Sequence, residues 1–455
     1  YNKIVFFKIG EVGDIPNLLF YRNKIANIGV GNGINTLPEF LIRVGDHAFD
    51  KNELIDVVLP DTVREIGQYA FCGLPDTSTT YLRHEKYRNL IGNSLLGSKN
   101  AFLLPPELLY IRTHAFAYTS IGKNDGGLYA MAMPDTLVSI EESAFEGTSA
   151  LLALGLTNEN NIELPTNTTH IGKKAFAFNS DVPAGLTLTL SSNIPIIAES
   201  AFESSGLERL IVPEGITKLE DKCFHNNYIT DIELPLSLTE IGNNVFLTPS
   251  EKTSYNDMRL NPISTITLKN NTQITNYKKM FLGCLTQQLT LAGNIDVVPA
   301  DACSITEPSI QNPLQTLVLN PQITEIGDNA FAGNALVELA LLGYQAGSGI
   351  QRIGHHAFYK CALADIAFGE GIVEIGDSAF ADNQLISVSL PNSLTNLGEG
   401  AFAGNKIVNL TLPMSSGFTD IPVSAFTGNR IANLFLPLNI VRIGHAAFLS
   451  NQIHE

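Results

Sequence analysis

Polar and apolar residues alternate in short segments along the chain, most clearly over residues 385–390. Here Val388 and Leu390 lie on one side, whereas Ser387 and Ser389 lie on the other. Because successive side chains of a strand point to opposite faces, this period of two predicts a strand with one buried face. A proline follows and ends the strand, since proline has no N–H group to donate to a ladder.

The same segment, again followed by proline, recurs along the chain. It is clear at residues 54–59, 229–234, 407–412 and 431–436. Strands of one length that return in this way can stack in register, about 4.8 Å apart. The pattern therefore predicts a long parallel sheet with one face exposed.

A second motif, Ile-Gly-x-x-Ala-Phe, lies between these strands and returns at a nearly fixed interval. The steps from Phe358 to Phe380 and from Phe380 to Phe402 are each 22 residues. The glycine permits a close turn, and the residues after it predict one short helical turn or an irregular segment whose phenylalanine points inward. A buried phenylalanine contributes about 1.5–3 kcal/mol. We find sixteen such positions, namely Phe49, Phe71, Phe116, Phe145, Phe176, Phe202, Phe224, Phe246, Phe281, Cys303, Phe331, Phe358, Phe380, Phe402, Phe426 and Phe448.

Asparagine often stands three residues after this phenylalanine. Its amide can bond the backbone of the neighbouring coil and pair groups that would otherwise be buried without a partner. This structural role outweighs a ligand-binding role, and it extends to the cysteines in the same slot, Cys284 and Cys361. The asparagines concerned are Asn52, Asn179, Asn227, Asn334, Asn383, Asn405, Asn429 and Asn451.

Self-similarity at this period is typical of a solenoid, in which each unit is too small to bury its apolar face alone. We predict a right-handed coil of about 22-residue repeats, with a parallel sheet on one face and short helical turns or irregular segments on the other. Residues 1–455 form one solenoid in this interpretation, with degenerate coils over 1–44 and the longest insertions at 72–100 and 247–263.

Composition narrows the function without naming it. The formal net charge of −17 disfavours binding to phosphate backbones, so no nucleic-acid partner is expected. No apolar run is long enough for a membrane-spanning helix. The five cysteines are scattered, odd in number and without metal-ligand spacing. The chain opens on tyrosine and ends partway through a repeat, which is what a fragment or a processed chain would show.

The motif Asn-x-Leu-x-x-Leu-x-Leu-Pro followed by Ile-Gly-x-x-Ala-Phe resembles the BspA-like class of leucine-rich repeat, as at residues 405–413 and 443–448. The resemblance extends from about Gly45 to Asn451. It implies a curved solenoid that binds macromolecules without catalysis, on the cell surface or secreted. Proteins of this class are mostly bacterial, and several mediate adhesion to host matrix or to other cells. The class has no invariant functional residue to carry over.

The exposed face of the predicted sheet is the first candidate site. Its outward residues are mostly small or acidic, and aromatic anchors are nearly absent. Interface hot spots favour Trp, Tyr and Arg, and the chain has no Trp, so a merely solvated sheet surface is the competing interpretation. The candidates on this face are Glu338, Asp365, Asn409, Asn433 and Phe435.

The longest insertion is the second candidate, because it carries a basic and aromatic cluster in an otherwise acidic molecule. A glycan or an acidic partner could stack on such tyrosines and pair with the arginines. A local packing role is the alternative. The residues concerned are Tyr81, Arg83, Tyr87 and Arg88.

Catalytic and metal-binding motifs are weak. His355 and His356 are adjacent on a short turn, a spacing that rarely lets two rings point together. No nucleophile–base order or phosphate-binding glycine loop stands outside the repeat pattern, so we predict a non-enzyme without cofactors. The leading hypothesis is an adhesin or protein-interaction scaffold that binds a host or cell-surface protein or a matrix glycoprotein. A glycan-binding module for surface nutrient capture is the alternative, and a spacer without a ligand is the third hypothesis.

Overall fold

The computed structural model describes the backbone of most, but not all, of the chain. The described residues are 7, 9–30, 35–52, 54, 56–73, 101–119, 121, 123–124, 127–128, 130–156, 158–179, 185–246, 265–268, 288–293, 296–304, 314–341 and 349–454. The chain divides into two compact units. The first unit comprises Tyr1–Ile229 and Ser237–Phe246, and the second comprises Thr230–Leu236 and Leu247–Glu455.

The predicted alternating segments form parallel strands in both units, except that residues 431–436 are irregular backbone, so the strand predicted there was wrong. In the first unit these are Asn27–Val30, Thr36–Leu37, Asp56–Val57, Ala101–Leu103, Ala130–Ala132, Asn161–Glu163, Leu186–Thr189 and Leu207–Ile211. In the second they are Asp231–Leu234, Thr265–Leu268, Gln288–Gly293, Thr316–Leu319, Glu338–Leu341, Asp365–Phe368, Ser387–Ser389 and Asn409–Thr411. The first unit also contains a small antiparallel pair, Lys123–Asn124 with Gly127–Leu128, which forms a separate sheet. The predicted parallel pairing of strands from successive coils is thereby confirmed, in several sheets of two to four strands.

A second ladder of two-residue strands, absent from the sequence prediction, runs just before the Gly-x-x-Ala-Phe turn. Most of these strands pair in parallel with the equivalent strand of the next coil. The first unit contains Asp14–Ile15, Arg43–Val44, Glu65–Ile66, Tyr110–Ile111, Ser139–Ile140, His170–Ile171, Ile196–Ile197, Lys218–Leu219 and Glu240–Ile241. The second unit contains Val297–Val298, Glu325–Ile326, Arg352–Ile353, Glu374–Ile375, Asn396–Leu397, Asp420–Ile421 and Arg442–Ile443.

The Gly-x-x-Ala-Phe segments are hydrogen-bonded turns, so the irregular alternative holds and the helical one does not. The residue before Ala and the second residue after Phe take left-handed backbone angles, as at His356 (φ 55°) and Lys360 (φ 54°). These angles break a helix and turn N–H groups toward the next coil. His356 donates to the carbonyl of Asp377 (2.9 Å), and Lys360 donates to that of Ala381 (3.0 Å).

Where glycine opens a turn, contact between coils rather than its own backbone angle requires it, whereas other turns open on residues with side chains, such as Arg112, Glu141, Ala198 and Pro422. A Cβ atom on Gly376 would lie 2.6 Å from the backbone nitrogen of His355 and 2.7 Å from the carbonyl carbon of Gly354. Real Cβ atoms essentially never approach backbone so closely. The two turns therefore touch through their main chains, which fixes the spacing of the coils.

The phenylalanines of the turns form a buried ring column in each unit. Phe49 and Phe71 stack with centroids 5.4 Å apart, and Phe380 lies 5.3 Å from both Phe358 and Phe402. All five side chains are fully buried. The predicted inward column is confirmed wherever the structure describes it, and offset stacking of this kind adds to the free energy of burial.

The asparagine slot is structural, as predicted. Nδ2 of Asn383 donates to the carbonyls of Phe358, Phe380 and Ala381 at 2.9–3.2 Å. Its Oδ1 accepts from the N–H of Leu363 at 3.1 Å. One side chain thus pairs backbone groups of two successive coils.

The start of the chain is more regular than the sequence suggested. Phe20 stacks on Phe49 with centroids 5.1 Å apart, and Leu18, two residues earlier, has the left-handed angle of the turn (φ 61°). Pro16 and Leu19 replace the glycine and alanine of the motif, which hid this coil. This turn therefore has the geometry of the later turns although its sequence is degenerate.

Among the described residues one α-helix occurs, Ala150–Gly155. It belongs to an insertion of the first unit and packs against the strands Ala130–Ala132 and Asn161–Glu163. The predicted insertion at 247–263, and that at 72–100 from residue 74 onward, lie outside the described residues. No helix in the described part of the chain is long and apolar enough to cross a membrane.

Candidate binding face

The candidate binding face is the exposed side of the second unit's sheet over residues 338–341, 365–368, 387–389 and 409–411. Ser387 stands in register with Asn409, and Glu338 with Asp365. Asp365, Ser387 and Asn409 are exposed, while Val388, which alternates with them, is buried. The chain thus holds a row of solvent-facing side chains at the spacing of the strands.

The structure places the predicted site residues unevenly. Asp365 and Asn409 lie on the candidate binding face, two coils apart. Asn433 and Phe435 are exposed in irregular backbone of the following coil, and Phe435 exposes 66% of its surface. Glu338 joins the face by its backbone pairing with Asp365. The loop residues Tyr81, Arg83, Tyr87 and Arg88 lie outside the described residues, so their role stays a prediction.

An apolar stripe, which the sequence analysis missed, borders this face. Consecutive coils place an apolar residue directly after the first buried residue of the strand. Coil-to-coil hydrogen bonds hold the stripe together, from the N–H of Ala364 to the carbonyl of Val337 (2.9 Å) and from the N–H of Val408 to that of Ile386 (2.8 Å). The exposed fractions of Val337, Ile386 and Val408 are 46%, 54% and 40%. The stripe consists of Val337, Ala364, Ile386, Val408 and Ala432.

Other coils do not all share this choice. Glu208, Thr230 and Gln315 are polar at the equivalent position, whereas Ala26 and Ile55 are apolar there. A coil-by-coil comparison of the residue just before the outward strand residues would have revealed the stripe. Its distinguishing feature is that five successive coils carry an apolar residue at this position.

Charged residues around the candidate binding face differ in their ion pairs from those on the ladder of two-residue strands. On that ladder Arg352 lies between Glu325 and Glu374, with its Nε 3.7 Å from Oε1 of Glu374. By contrast, Asp365, Lys406 and Arg430 make no ion pair with any described residue. Among the described residues, the hydrogen bond of the Asp365 side chain is the one that it accepts from the N–H of Ile366, at 2.9 Å.

A row of aromatic rings lies on the turn side of the first unit. His47 and Tyr69 stack with centroids 4.7 Å apart, and Tyr69 and His114 at 4.5 Å. Each ring covers the face of the next, so the row presents ring edges rather than faces to solvent. Because sugars stack on ring faces, this row is not a platform for a glycan.

The adjacent histidines do not form a joint site. Nδ1 of His355 accepts from the N–H of Asp377 at 3.0 Å, whereas the ring of His356 meets Tyr359 edge-on at 5.3 Å. Within the described ranges, no group of three or more His, Cys, Asp or Glu is arranged to hold a metal ion.

The four described cysteines are free thiols buried in the repeat core. Cys361 occupies the asparagine slot and donates to the carbonyl of Phe331 at 3.2 Å. Burial raises the pKa of the Cys361 thiol to about 12 and that of Cys72 to about 12. Only the thiolate is nucleophilic, so these thiols are unreactive near neutral pH.

We expect alkylation to report this burial. In a Cys284→Ser variant, which removes the cysteine outside the described residues, iodoacetamide at pH 8 should label the remaining thiols about a thousandfold more slowly than an exposed cysteine. Denaturation in urea should restore labelling of all four. Mass spectrometry of peptides distinguishes the sites, and rapid labelling of Cys361 in the folded chain would contradict the described packing.

The chain matches one known family along nearly its whole length. The model of the family described as BspA type leucine rich repeat region (6 copies) matches residues 13–151, 123–252, 251–343 and 341–455. In a search of curated proteins, nothing matches the chain.

Several solved structures are similar at low sequence identity. A leucine-rich repeat protein from Bacteroides ovatus is 18% identical, over 89% of this chain and 91% of its own, with a TM-score of 0.42. The pneumococcal vaccine antigen PcpA is 15% identical, over 99% and 98%, with a TM-score of 0.31. A leucine-rich cell surface protein from Faecalibacterium prausnitzii is 17% identical, over 96% and 88%, with a TM-score of 0.24.

Proposed function

Because the chain belongs to the BspA-type leucine-rich repeat family, we propose that it is a cell-surface or secreted adhesin or protein-interaction scaffold. Repeats of this family generally serve as non-enzymatic scaffolds. The observation that carries the proposal is the candidate binding face, where Asp365, Ser387 and Asn409 are exposed above a buried and constant frame. Such a face can vary its outward residues without disturbing the fold.

A protein partner suits this face better than a glycan. Its described outward side chains are small, polar or aliphatic, and Phe435 at its end is the exposed aromatic among the candidates. Protein interfaces combine an apolar centre with a polar rim, which is the arrangement of the apolar stripe beside Asp365 and Asn409. The glycan alternative depends on the Tyr81–Arg88 loop and enters here as an outcome of the test.

The test is binding of the purified chain to parallel arrays of glycans and of extracellular-matrix and host-surface proteins. Three variants accompany it. The face variant combines Asp365→Ala with Asn409→Ala. The loop variant replaces Tyr81, Tyr87 and Arg88 with alanine. The control, Glu399→Ala, removes an exposed carboxylate outside the candidate binding face.

A protein hit that the face variant loses and the Glu399→Ala control keeps supports the proposal. A sugar hit that only the loop variant loses replaces it with the glycan-binding function. If the chain binds nothing on either array, the proposal is contradicted, and a spacer without a ligand becomes the simplest interpretation.

A further inference from the structure

We propose that the partner recognised by this face is a second copy of the same chain, so that the adhesion is homophilic and runs through the apolar stripe. This inference rests on the proposed function and names its partner. Three features of the second unit carry it, namely an exposed aliphatic row, an antisymmetric set of charges around it, and the two-fold geometry that these charges permit.

The aliphatic row is the first feature. Ile386, at its centre, is 54% exposed, and Val337 and Val408 flank it across the coils. Five coils at about 4.8 Å give a row about 19 Å long. Isolated exposed aliphatic residues need no explanation, whereas a contiguous row rimmed by polar residues is typical of an interaction surface.

The charges around the row are the second feature. Asp365 lies in the coil before Ile386, and Glu338 stands in register with it one coil earlier. On the other side of Ile386, Lys406 lies in the next coil and Arg430 in the one after, both exposed. Along the chain, each acidic residue comes one position after the stripe residue of its own coil, whereas each basic residue comes two positions before it. The acidic and basic residues therefore lie on opposite sides of Ile386.

A two-fold axis past Ile386 is the third feature. In an isologous contact each patch meets its own copy, so the patch must be complementary to itself. An axis in the contact plane that passes close to Ile386 and runs obliquely to the strands brings Asp365 of one copy opposite Lys406 of the other, and the reverse, because these two residues lie on opposite sides of Ile386 both along the strand and across the coils. The aliphatic rows of the two copies then cross at Ile386.

The contact must be weak. The row and its flanks are smaller than the roughly 800 Å² per partner of a stable complex, and each copy carries a formal net charge of −17. We therefore expect a dissociation constant above about 1 µM. Weak contacts suffice for adhesion, since many copies on facing surfaces act together and multiply the affinity.

Sedimentation velocity of the full 455-residue chain tests the proposal, over about 5 µM to 1 mM at roughly 0.15 M salt. The unchanged chain should associate reversibly. Asp365→Lys alone and Lys406→Asp alone should each weaken association by about tenfold or more, because each places like charges opposite one another in both symmetric contacts. Glu399→Lys, which makes the same charge reversal on an exposed residue outside the patch, should leave it unchanged.

Mixing the two reversed variants is the decisive step. In the mixed pair the two lysines of one copy face the two aspartates of the other, so association should recover although each variant alone associates only weakly. No association of the unchanged chain up to about 1 mM, association unaffected by either reversal, or no recovery on mixing would each overturn the homophilic contact. A protein hit on the arrays that depends on Asp365 and Asn409 would still uphold the proposed function, so the two failures are distinguishable.

Discussion

Replacing Phe380 with alanine is expected to lower the free energy of unfolding of its coils by about 3–5 kcal/mol. The ring is fully buried and lies 5.3 Å from Phe358 and from Phe402. The ring of Phe368 also contacts Phe380, in an edge-on arrangement at 5.5 Å, so three rings lose a contact at once. Main-chain contacts fix the spacing of the coils, so the cavity cannot collapse and its cost is close to the full value.

Urea unfolding with hydrogen exchange read by mass spectrometry measures this loss. Repeat arrays do not unfold in a single step, so exchange should accelerate chiefly in the coils around Phe358 and Phe402. Phe435→Ala is the matched control, because that ring is 66% exposed; it should change stability by less than about 0.5 kcal/mol. A loss below about 1 kcal/mol for Phe380→Ala would show that the ring column is not a main source of stability.

The frame of the fold was predictable because its residues repeat at positions where burial leaves little choice. Leu390, Phe380 and Asn383 each belong to a column in which one residue type recurs, and all three are buried. The strands, the inward ring column and the structural asparagines followed from these columns. Phe20 escaped the prediction because Pro16 and Leu19 replaced two of the motif's markers at once.

The ladder of two-residue strands and the left-handed turns could not be predicted from the same signals. A two-residue strand such as Glu374–Ile375 is too short to show a period of two. The left-handed positions hold residues as different as Tyr69, Lys174 and Ser378. Backbone contact with the next coil stabilises these angles, and that contact depends on stacking rather than on the residue itself.

The candidate binding face was predictable in outline only. Asp365 and Asn409 are exposed, as the alternation indicated. The apolar stripe was missed because Ile386 and Val408 precede the alternating residues and resemble core residues in sequence. Only the bend of the chain there, which turns these side chains to solvent, distinguishes them from the buried Leu385 and Ile407.

Replacing Asn383 with alanine is expected to destabilise the second unit by about 3–5 kcal/mol. The change leaves the N–H of Leu363 and the carbonyls of Phe358 and Phe380 without their side-chain partner. The site is 1% exposed, so water cannot replace those bonds without opening the coil. Each buried polar group left unpaired costs about 1–3 kcal/mol.

Residues found elsewhere in the slot supply a graded series for this test. Thr119 donates to the carbonyl of its own coil's phenylalanine at 2.8 Å, and Cys361 donates to that of the preceding coil. Asn383→Thr should therefore keep one bond and cost less than Asn383→Ala, by about 1–2 kcal/mol in urea unfolding. Asn433→Ala, at an exposed position, serves as the control. Equal losses for the threonine and alanine variants would mean that side-chain volume, rather than the paired backbone, explains the asparagine column.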